Sequence, residues 1–329
     1  MTDTETRILY VFPGQGSQYK GMGSDLFRDF ASARRIYGHA KEVLGFDIEE
    51  LSFEDPDEQL DLTKYTQPAL LTHEIACLEI YRELLGDHAQ PAAAAGHSLG
   101  EYTALVAADA LTFENALHLV QKRGEFMGTF GEGKMLATPL DWESAQLLAE
   151  KHYCEVASHN LPEQTVVGGA SDDIAALTEE FSALYPSRVP VQLQTEGAFH
   201  TYLMINAARH FRAVLNTTRI ELPKFQVLSN YTGGFHDSDV QSIKAKLFYQ
   251  LFRPVNWVGC LKTALDNGMN TLIEFGGGIG RDSEPEQKRP NLAGIVKKTL
   301  RRSGVDGTYL SAINSGTIQN TASVMSGAG

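Results

Sequence analysis

Cysteine, positive charge and long apolar runs are all scarce in this sequence of 329 residues. The three cysteines, Cys77, Cys154 and Cys260, lie far apart, so we expect neither a disulfide framework nor a cysteine metal site, and we interpret them as buried thiols. No apolar run reaches the roughly 18 residues that cross a membrane, and residues 1–7 lack the basic start and apolar core of a signal peptide. These absences predict a cytoplasmic protein.

The deficit of positive charge is large, because 28 Lys and Arg face 41 Asp and Glu and leave a formal net charge of −13. This balance disfavours nonspecific binding of nucleic acid or of an anionic membrane. One stretch of this acidic chain has the opposite charge, because Lys288 to Arg302 is rich in basic residues. The sequence therefore predicts a local basic surface on an acidic protein.

Hydrophobic residues make up 43% of the chain, which is enough for a large core. Short apolar strands alternate with helical patterns, and this alternation predicts an α/β domain with a largely parallel sheet. The predicted strands include Arg7 to Phe12, Pro91 to Gly96 and Thr271 to Phe275, and the predicted helices include Gln67 to Leu85, Glu101 to Ala110, Phe113 to Met127, Tyr202 to Leu215 and Ser242 to Phe252.

The pattern changes between residues 128 and 194, where short β-rich runs surround two helical stretches. We interpret this segment as a small βαββαβ unit inserted in the larger domain, which then comprises residues 1–127 and 195–315. Residues 316–329 are rich in Ser, Thr, Gly and Ala, and their composition predicts a disordered tail.

The pattern Gly96-His97-Ser98-Leu99-Gly100 lies between a predicted strand and a predicted helix. This is the context of a nucleophile elbow, in which a strained turn exposes the serine hydroxyl and the next backbone N–H can stabilise an oxyanion. Ser98 is the candidate nucleophile and Leu99 the candidate N–H donor. An ordinary glycine-rich loop is the alternative interpretation of so short a match.

A serine hydroxyl needs a base to take its proton, and the chain has ten histidines. His200 follows the inserted unit in a turn-like segment and is the best candidate, although its position alone would also suit a surface histidine. His97 is next to the serine and cannot easily face it, so a packing or phosphate-side role is expected. No carboxylate is placed to orient the base, which predicts a backbone carbonyl in that role.

A second glycine-rich segment, Pro13 to Gln18, follows the first predicted strand. It lacks the Lys-Ser/Thr ending of a P-loop and the spacing of a dinucleotide-binding turn, so a nucleotide site is not expected. A loop that presents the Gln15 amide to an oxyanion accounts for the same glycines.

Taken together, several segments resemble the malonyl-coenzyme A:acyl carrier protein transacylase family. They are Gly14 to Gln18, Thr66 to Leu70, Gly96 to Glu101, Gln121 to Gly124 and Ala198 to His200, and they occur in the family's order over nearly the whole chain. The resemblance implies an α/β-hydrolase-like large domain with an inserted ferredoxin-like small domain. It also implies that Ser98 is acylated, that His200 is its base and acid, and that Gln15 and the Leu99 amide form the oxyanion hole.

The resemblance further implies how the substrate is chosen. Arg123 would pair with the free carboxylate of a malonyl group, although the motif without the resemblance also fits an arginine on an exposed helix face. Gln67, His97 and Phe199 would line the pocket, and Phe199 resembles the malonyl-selecting form of its motif. Asn256 would orient His200 through its backbone carbonyl.

Two segments depart from the fatty-acid enzymes of the family. Gly276 to Gly280 replaces the usual Gly-Pro-Gly, which makes the chain more similar to the free-standing acyltransferases of polyketide synthases. Glu196 lies close before the base, so the acyl group stays open between malonyl and related carboxyacyl groups. Polyketide and fatty acid biosynthesis are both compatible with these features.

The implied partners are a coenzyme A thioester and an acyl carrier protein, with no bound metal and no tightly bound cofactor. Because carrier proteins are acidic, docking requires a basic surface, and Lys297, Lys298, Arg301 and Arg302 are candidates, with a solvated helix face as the alternative. Three other functions stay open: an acyl hydrolase, an acyltransferase for bulkier extender units, and a catalytically silent carrier-protein-binding component.

Overall fold

The strands of the protein form two sheets in the computed structural model, which describes residues 6–86 and 90–327. The strands are β1 (Ile8–Phe12), β2 (Ala93–Gly96), β3 (Lys134–Thr138), β4 (Glu155–Leu161), β5 (Gln164–Gly169), β6 (Val191–Leu193), β7 (Gln226–Val227), β8 (Val255–Asn256), β9 (Thr271–Phe275) and β10 (Thr308–Ala312). The helices are α1 (Ser24–Asp29), α2 (Ala31–Leu44), α3 (Ile48–Phe53), α4 (Thr63–Leu85), α5 (Gly100–Ala107), α6 (Phe113–Thr129), α7 (Trp142–Lys151), α8 (Ser171–Leu184), α9 (Ile205–Thr217), α10 (Val240–Gln250), α11 (Trp257–Asp266), α12 (Ala293–Ser303) and α13 (Ser315–Ser326). The fold is therefore mixed α/β, as the alternating pattern predicts.

The first sheet has the strand order β10-β9-β1-β2-β7, and all of its neighbouring strands are parallel. Phe12 at the end of β1 lies opposite Gly96 at the end of β2, and the N–H of His97 donates to the carbonyl of Phe12 at 2.9 Å. The loops that follow these two strands consequently emerge side by side at the carboxyl edge, where open α/β sheets bind their ligands.

Both faces of β1 are buried, which explains its continuous apolar sequence. On one face, Tyr10 and Phe12 pack against Phe275 with ring centroids 4.8 and 5.7 Å apart. On the other face, Leu9 and Val11 join a cluster that contains the fully buried Trp257. Each such side chain contributes roughly 2–3 kcal/mol by its burial, so the strand forms a rigid base beneath the loops at its end.

The second sheet has the order β6-β3-β5-β4-β8. Its first four strands and helices α7 and α8 all lie within the segment for which the sequence predicts βαββαβ, and that prediction is confirmed element by element. The fifth strand was not predicted. It is β8, which comes from the later part of the chain and pairs in parallel with β4, with Val255 opposite Ser158.

The prediction of a disordered tail after Ser315 is wrong for the residues that the structure describes, and residues 328 and 329 lie outside them. Helix α13 begins with a capping box, in which Asn314 accepts from the N–H of Thr317 at 2.9 Å and Thr317 bonds back to the N–H of Asn314. Its small residues, which suggested disorder, allow close packing on α4 and β10, and Ile318 is fully buried.

We expect a chain that lacks residues 316–329 to be less stable by roughly 3 kcal/mol. The deletion removes the buried apolar surface that Ile318 and Ala322 contribute to the folded protein. Urea unfolding of this chain and of a control chain that ends after Gly327 measures the difference. Equal stability of the two shortened chains would contradict the prediction.

Within the described ranges, no helix is both long and apolar enough to cross a membrane. The three cysteines are buried and free, as the sequence predicts. Burial raises the pKa of Cys77 and Cys260 well above the ordinary thiol range, so these thiols are poor nucleophiles.

Candidate active site

Ser98 occupies a strained turn between β2 and α5. Its φ angle is +54°, in the left-handed region that non-glycine residues rarely adopt. The flanking glycines are required by space, because a Cβ on Gly96 would lie 1.8 Å from the backbone of Gly100, and one on Gly100 would lie 2.3 Å from the carbonyl oxygen of Phe12. These contacts give the turn the geometry of a nucleophile elbow, which an ordinary loop does not require.

Two buried amides hold the elbow in place. The N–H of Ser98 donates to Oδ1 of Asn230 at 2.6 Å, and Nδ2 of Asn230 donates to the carbonyl of Gly96 at 2.7 Å. The carbonyl of Ser98 accepts from Nε2 of Gln250 at 2.9 Å. The backbone on both sides of the strained residue is thus hydrogen-bonded, which offsets the cost of its conformation.

His200 is hydrogen-bonded to Ser98, as expected of the candidate base. Its Nε2 lies 2.8 Å from Oγ of Ser98, and its Nδ1 donates to the carbonyl of Gln250 at 2.6 Å. Only 5% of its surface is exposed, so the alternative of a surface histidine is excluded. The Nδ1–H bond fixes the tautomer that leaves the Nε2 lone pair free to take the serine proton.

The prediction that Asn256 orients the base is wrong, because the carbonyl in that position belongs to Gln250. The side chain of Asn256 instead caps α11 by accepting from the N–H of Gly259 at 2.9 Å. Its backbone lies in β8, opposite His159. The backbone N–H of His200 donates to the carbonyl of Leu251 at 3.1 Å, which places the ring next to the preceding carbonyl. The expectation of a backbone carbonyl in place of a carboxylate is confirmed.

Burial, together with the nearby Arg123 guanidinium, lowers the pKa of His200 to about 3. The imidazole is therefore neutral, and able to act as a base, over the whole ordinary pH range. The same shift affects stability: the unfolded chain protonates this histidine near pH 6.5, so the stabilisation from burying it neutral is present above that pH and declines as the pH falls toward 3.

We expect kcat/KM for acylation to be flat between about pH 8 and pH 5, without a loss near the ordinary histidine pKa. Stopped-flow acylation over this range tests the prediction, with circular dichroism at each pH to separate titration from unfolding. An inflection near pH 6.5 in the fully folded protein would contradict it.

Arg123 lies in α6 with 1% of its surface exposed, which excludes a role on an exposed helix face. Its guanidinium donates to Oγ of Ser98 and to Oε1 of Gln250, each at 3.1 Å, and lies 5.4 Å from the ring centre of Tyr102. Among the described residues it has no ion-pair partner, and its Nε–H has no acceptor. A cation this deeply buried favours an anionic ligand beside the nucleophile.

The three predicted pocket residues are Gln67, His97 and Phe199. Gln67 of α4 is 1% exposed, donates to the sulfur of Met127 at 3.4 Å, and has no partner for its Oε1 in the described part of the chain. Phe199, next to the base, is 5% exposed. Nε2 of His97 lies 2.8 Å from Oδ1 of Asn160, so this ring nitrogen is engaged by a side chain other than Ser98.

Two backbone N–H groups remain as candidates for the oxyanion hole. Leu99 caps α5, and Gln15 follows β1, and neither backbone N–H has an acceptor among the described residues. The side chain of Gln15 is engaged elsewhere, since its Nε2 donates to Oγ1 of Thr63 at 3.1 Å. The N–H of Thr63 in turn donates to Glu196 at 2.5 Å, so Glu196 caps α4 beside the pocket.

The candidate docking residues all lie exposed in α12, away from these contacts. Arg302 forms an ion pair with Glu163, and the ammonium of Lys297 lies 5.3 Å from the ring centre of Tyr309. Lys298 and Arg301 form no ion pair with any described residue. No three His, Cys, Asp or Glu side chains within the described ranges cluster so as to hold a metal ion.

Comparison with known families gives a match to the acyl transferase domain over residues 9–275. The chain belongs to the acyl transferase family. Malonyl CoA-acyl carrier protein transacylase of Bacillus subtilis is 36% identical over 306 residues, which cover 90% of this chain and 92% of that protein. Polyketide biosynthesis protein ThaF of Burkholderia thailandensis is 37% identical over 82% of this chain but only 23% of its own length.

Solved structures of this family superimpose closely. FabD from Acinetobacter baumannii has a TM-score of 0.87 at 29% identity, covering 98% of this chain and 99% of that one. A malonyl-transacylase in complex with its type II polyketide acyl-carrier protein has a TM-score of 0.86 at 28% identity, covering 97% and 100%. The chain therefore shares the fold of these acyltransferases over almost its full length.

Proposed function

We propose that this acyltransferase moves a malonyl or related carboxyacyl group from coenzyme A to the phosphopantetheine thiol of an acyl carrier protein. The observation that carries the proposal is the buried Arg123, whose guanidinium lies 3.1 Å from Oγ of Ser98 and forms no ion pair with a described residue. An acyl group with a free carboxylate would provide that partner while its thioester carbon lies at the nucleophile. The names of the relatives support the same substrates.

In the first half-reaction, Oγ of Ser98 attacks the thioester carbon while Nε2 of His200 takes the hydroxyl proton. The tetrahedral oxyanion accepts hydrogen bonds from the backbone N–H groups of Leu99 and Gln15, each worth roughly 3 kcal/mol. The carbon–sulfur bond then breaks, and His200 returns its proton to the coenzyme A sulfur. The product is an acyl ester on Ser98.

The second half-reaction is the reverse with a different thiol. His200 takes the proton of the carrier's phosphopantetheine thiol, the sulfur attacks the ester carbon, and the same N–H donors stabilise the oxyanion. Oγ of Ser98 leaves and recovers its proton. All of these steps use side chains and backbone groups of this chain, and acyl-coenzyme A enters as a substrate rather than as a cofactor.

Three alternatives make different predictions. An acyl hydrolase would let water take the acyl group, and a bulkier-extender enzyme would prefer larger carboxyacyl groups. A non-catalytic carrier-protein-binding component would form no acyl ester at all. The hydrogen bond of 2.8 Å between Ser98 and His200 favours an enzyme over a non-catalytic binding component. Arg123 favours a carboxyacyl group over plain acyl chains.

The test is intact-mass analysis after incubation with acetyl-, malonyl-, methylmalonyl- and ethylmalonyl-coenzyme A, with and without holo carrier protein. A malonyl adduct that is stable alone and moves to the carrier supports the proposal. Rapid release of free malonate indicates hydrolysis, and an adduct only from the larger esters indicates a bulkier extender. No adduct from any thioester would refute both enzyme functions.

The exposed basic residues of α12 are our proposed contact for the acidic carrier protein, with Lys298 and Arg301 as the two that form no ion pair in the described part of the chain. We expect charge reversal at Lys298 and Arg301 to raise the KM for carrier protein about threefold to tenfold at low salt, and less at high salt. The KM for malonyl-coenzyme A should not change. Reversal of Arg209 and Arg212, an exposed basic pair on α9 with no ion pair among the described residues, is the matched control. A larger effect from the α9 pair would locate docking there instead.

We further propose that the first sheet is α/β-hydrolase-like and that residues 128–194 form a ferredoxin-like unit. The parallel strands and the elbow after β2 support the first assignment. The order β6-β3-β5-β4 within a βαββαβ segment supports the second. The similarity to ThaF and to a polyketide malonyl-transacylase keeps polyketide biosynthesis beside fatty acid biosynthesis as the setting.

A further inference from the structure

A buried carboxylate, Glu101, lies directly beneath the active site. It is fully buried in the first turn of α5, and its Oε2 accepts from the N–H of Asn230 at 3.0 Å and from Nε2 of Gln250 at 2.8 Å. Its Oε1 lies 2.8 Å from Nε2 of His236, whose side chain is also inaccessible. Asn230 and Gln250 are the two residues that hold the nucleophile elbow, so Glu101 joins them from below.

The hydrogen bonds of His236 show where the charge of this pair resides. Its Nε2 must donate, because a carboxylate oxygen only accepts. Its Nδ1 is buried without any partner among the described residues. A proton on Nδ1 would be an unsatisfied buried donor, so the arrangement fits a neutral His236. Glu101 then keeps its negative charge, and His236 does not cancel it.

Arg123 is a buried charge of the opposite sign to Glu101. It is a buried cation with no ion pair among the described residues, and removing such a charge from water is costly unless an opposite charge is near. Burial lowers its pKa, whereas Tyr102 and Glu101 act in the opposite direction. A chain of two hydrogen bonds links the charges: Arg123 donates to Oε1 of Gln250 at 3.1 Å, and Nε2 of the same amide donates to Glu101 at 2.8 Å.

We propose that Glu101 is the counter-charge of Arg123, acting through the amide of Gln250, and that it sets the affinity of the site for carboxyacyl groups. Glu101 is a positioning residue, since it does not touch Ser98 Oγ or the proposed position of the substrate. The inference rests on the proposed function for the identity of the ligand, and on the geometry alone for the pairing of the two charges.

The pairing has a consequence for binding. In the empty enzyme, the negative charge of Glu101 attracts the guanidinium of Arg123 and stabilises this buried cation. When a substrate carboxylate arrives, it shares the guanidinium with Glu101 and is repelled by it. Glu101 thus keeps the empty site stable at the cost of weaker carboxylate binding, which also favours release of the acyl group to the carrier.

The variant Glu101→Gln separates charge from hydrogen bonding. The new amide oxygen can still accept from Asn230 and Gln250. Its NH₂ group can donate to Nε2 of His236 only when the ring proton moves to Nδ1, where it has no acceptor among the described residues, so the variant loses some stability. Removing a unit charge that lies two hydrogen bonds away through a buried amide changes a binding constant on the order of tenfold. We expect the KM for malonyl-coenzyme A and the Kd for malonate to fall about tenfold, with the KM for acetyl-coenzyme A unchanged.

Two controls accompany this variant. Glu274→Gln removes another fully buried carboxylate, which accepts from the N–H of Leu292 and from Tyr309 and has no contact with the site. It should lower stability without changing either KM. His236→Gln keeps a neutral donor for Glu101 and should leave the malonyl KM unchanged. A rise in that KM would show that His236 is the cation paired with Glu101, and would overturn the proposal.

Thermal unfolding with and without malonate gives a readout that does not need catalysis. The melting temperature of Glu101→Gln should be lower than that of the unmodified protein, and malonate should raise it more in the variant. If the variant does not fold alone, malonate but not acetate must restore the folded state. Equal malonate effects in both proteins, or equal KM changes for both esters, would overturn the proposal. Failure of the proposed function appears separately, as the absence of an acyl-enzyme in the unmodified protein.

Discussion

Replacing Ser98 with alanine should abolish the acyl-enzyme and lower the rate of malonyl transfer by at least about 10⁴-fold. The loss is this large because the mechanism then lacks its covalent intermediate, and the remaining oxyanion donors can only bind the thioester. Intact-mass analysis after mixing with malonyl-coenzyme A should show the unmodified mass of the variant at every time point.

The matched control is Ser182→Ala, which removes an exposed hydroxyl of α8 whose one hydrogen bond among the described residues is to the carbonyl of Thr178. Its adduct should form at the rate of the unmodified protein. Proteolysis of the acylated control should place the added mass on the peptide that contains Ser98. An adduct of normal yield in Ser98→Ala would show that the acyl group resides on a different side chain.

Replacing Arg123 with alanine should change which acyl group the enzyme accepts. We expect kcat/KM for malonyl-coenzyme A to fall about 10²- to 10³-fold, because a desolvated carboxylate would lose its charged partner. The value for acetyl-coenzyme A, which has no carboxylate, should change by less than about tenfold. Single-turnover acylation with the two esters measures the ratio directly.

The variant Arg123→Lys tests whether the fork of the guanidinium matters in addition to its charge. A lysine keeps the positive charge but cannot make two parallel hydrogen bonds in one plane, so its selectivity for malonyl should be intermediate. Equal losses for malonyl and acetyl esters in Arg123→Ala would show that the residue supports the elbow through Ser98 and Gln250 and does not choose the substrate.

The sequence predicts the parts of this site whose chemistry is local. The elbow needs glycines at two fixed positions around Ser98, and the close contacts of Gly96 and Gly100 show why. The alternation of β1 and β2 with helices also predicts that their ends meet, because parallel strands place their carboxyl ends at one edge. These features depend on neighbours in the sequence and could be found there.

The missed residues act over long distances in the chain. Gln250 lies 50 residues after the base that it orients and 152 residues after the nucleophile that it supports, and no spacing rule connects them. Asn230 is similar. The assignment to Asn256 failed because any residue can offer a backbone carbonyl, so side-chain identity contains no information about it. Glu101 did carry a signal, since it directly follows the elbow motif.

Helix α13 shows the limit of composition as a guide. Its serines, threonines and alanines have little apolar surface, and such segments often remain disordered. Here the capping box at Asn314 starts the helix, and Thr321 donates to the carbonyl of Ser311 at 2.6 Å. Small side chains that pack against an existing surface are visible only when that surface is known.

The pairing of β8 with β4 matters for the engineering of chimeric acyltransferases. An exchange of residues 128–194 between relatives, intended to transplant acyl preference, would leave Val255 and Asn256 from the host facing Ser158 and His159 from the donor. The host strand leads back to the carbonyl of Gln250 that holds His200. A graft that moves the small sheet should therefore include Val255 and Asn256 but leave Gln250 with the host, so that His200 and the carbonyl that holds it come from the same parent.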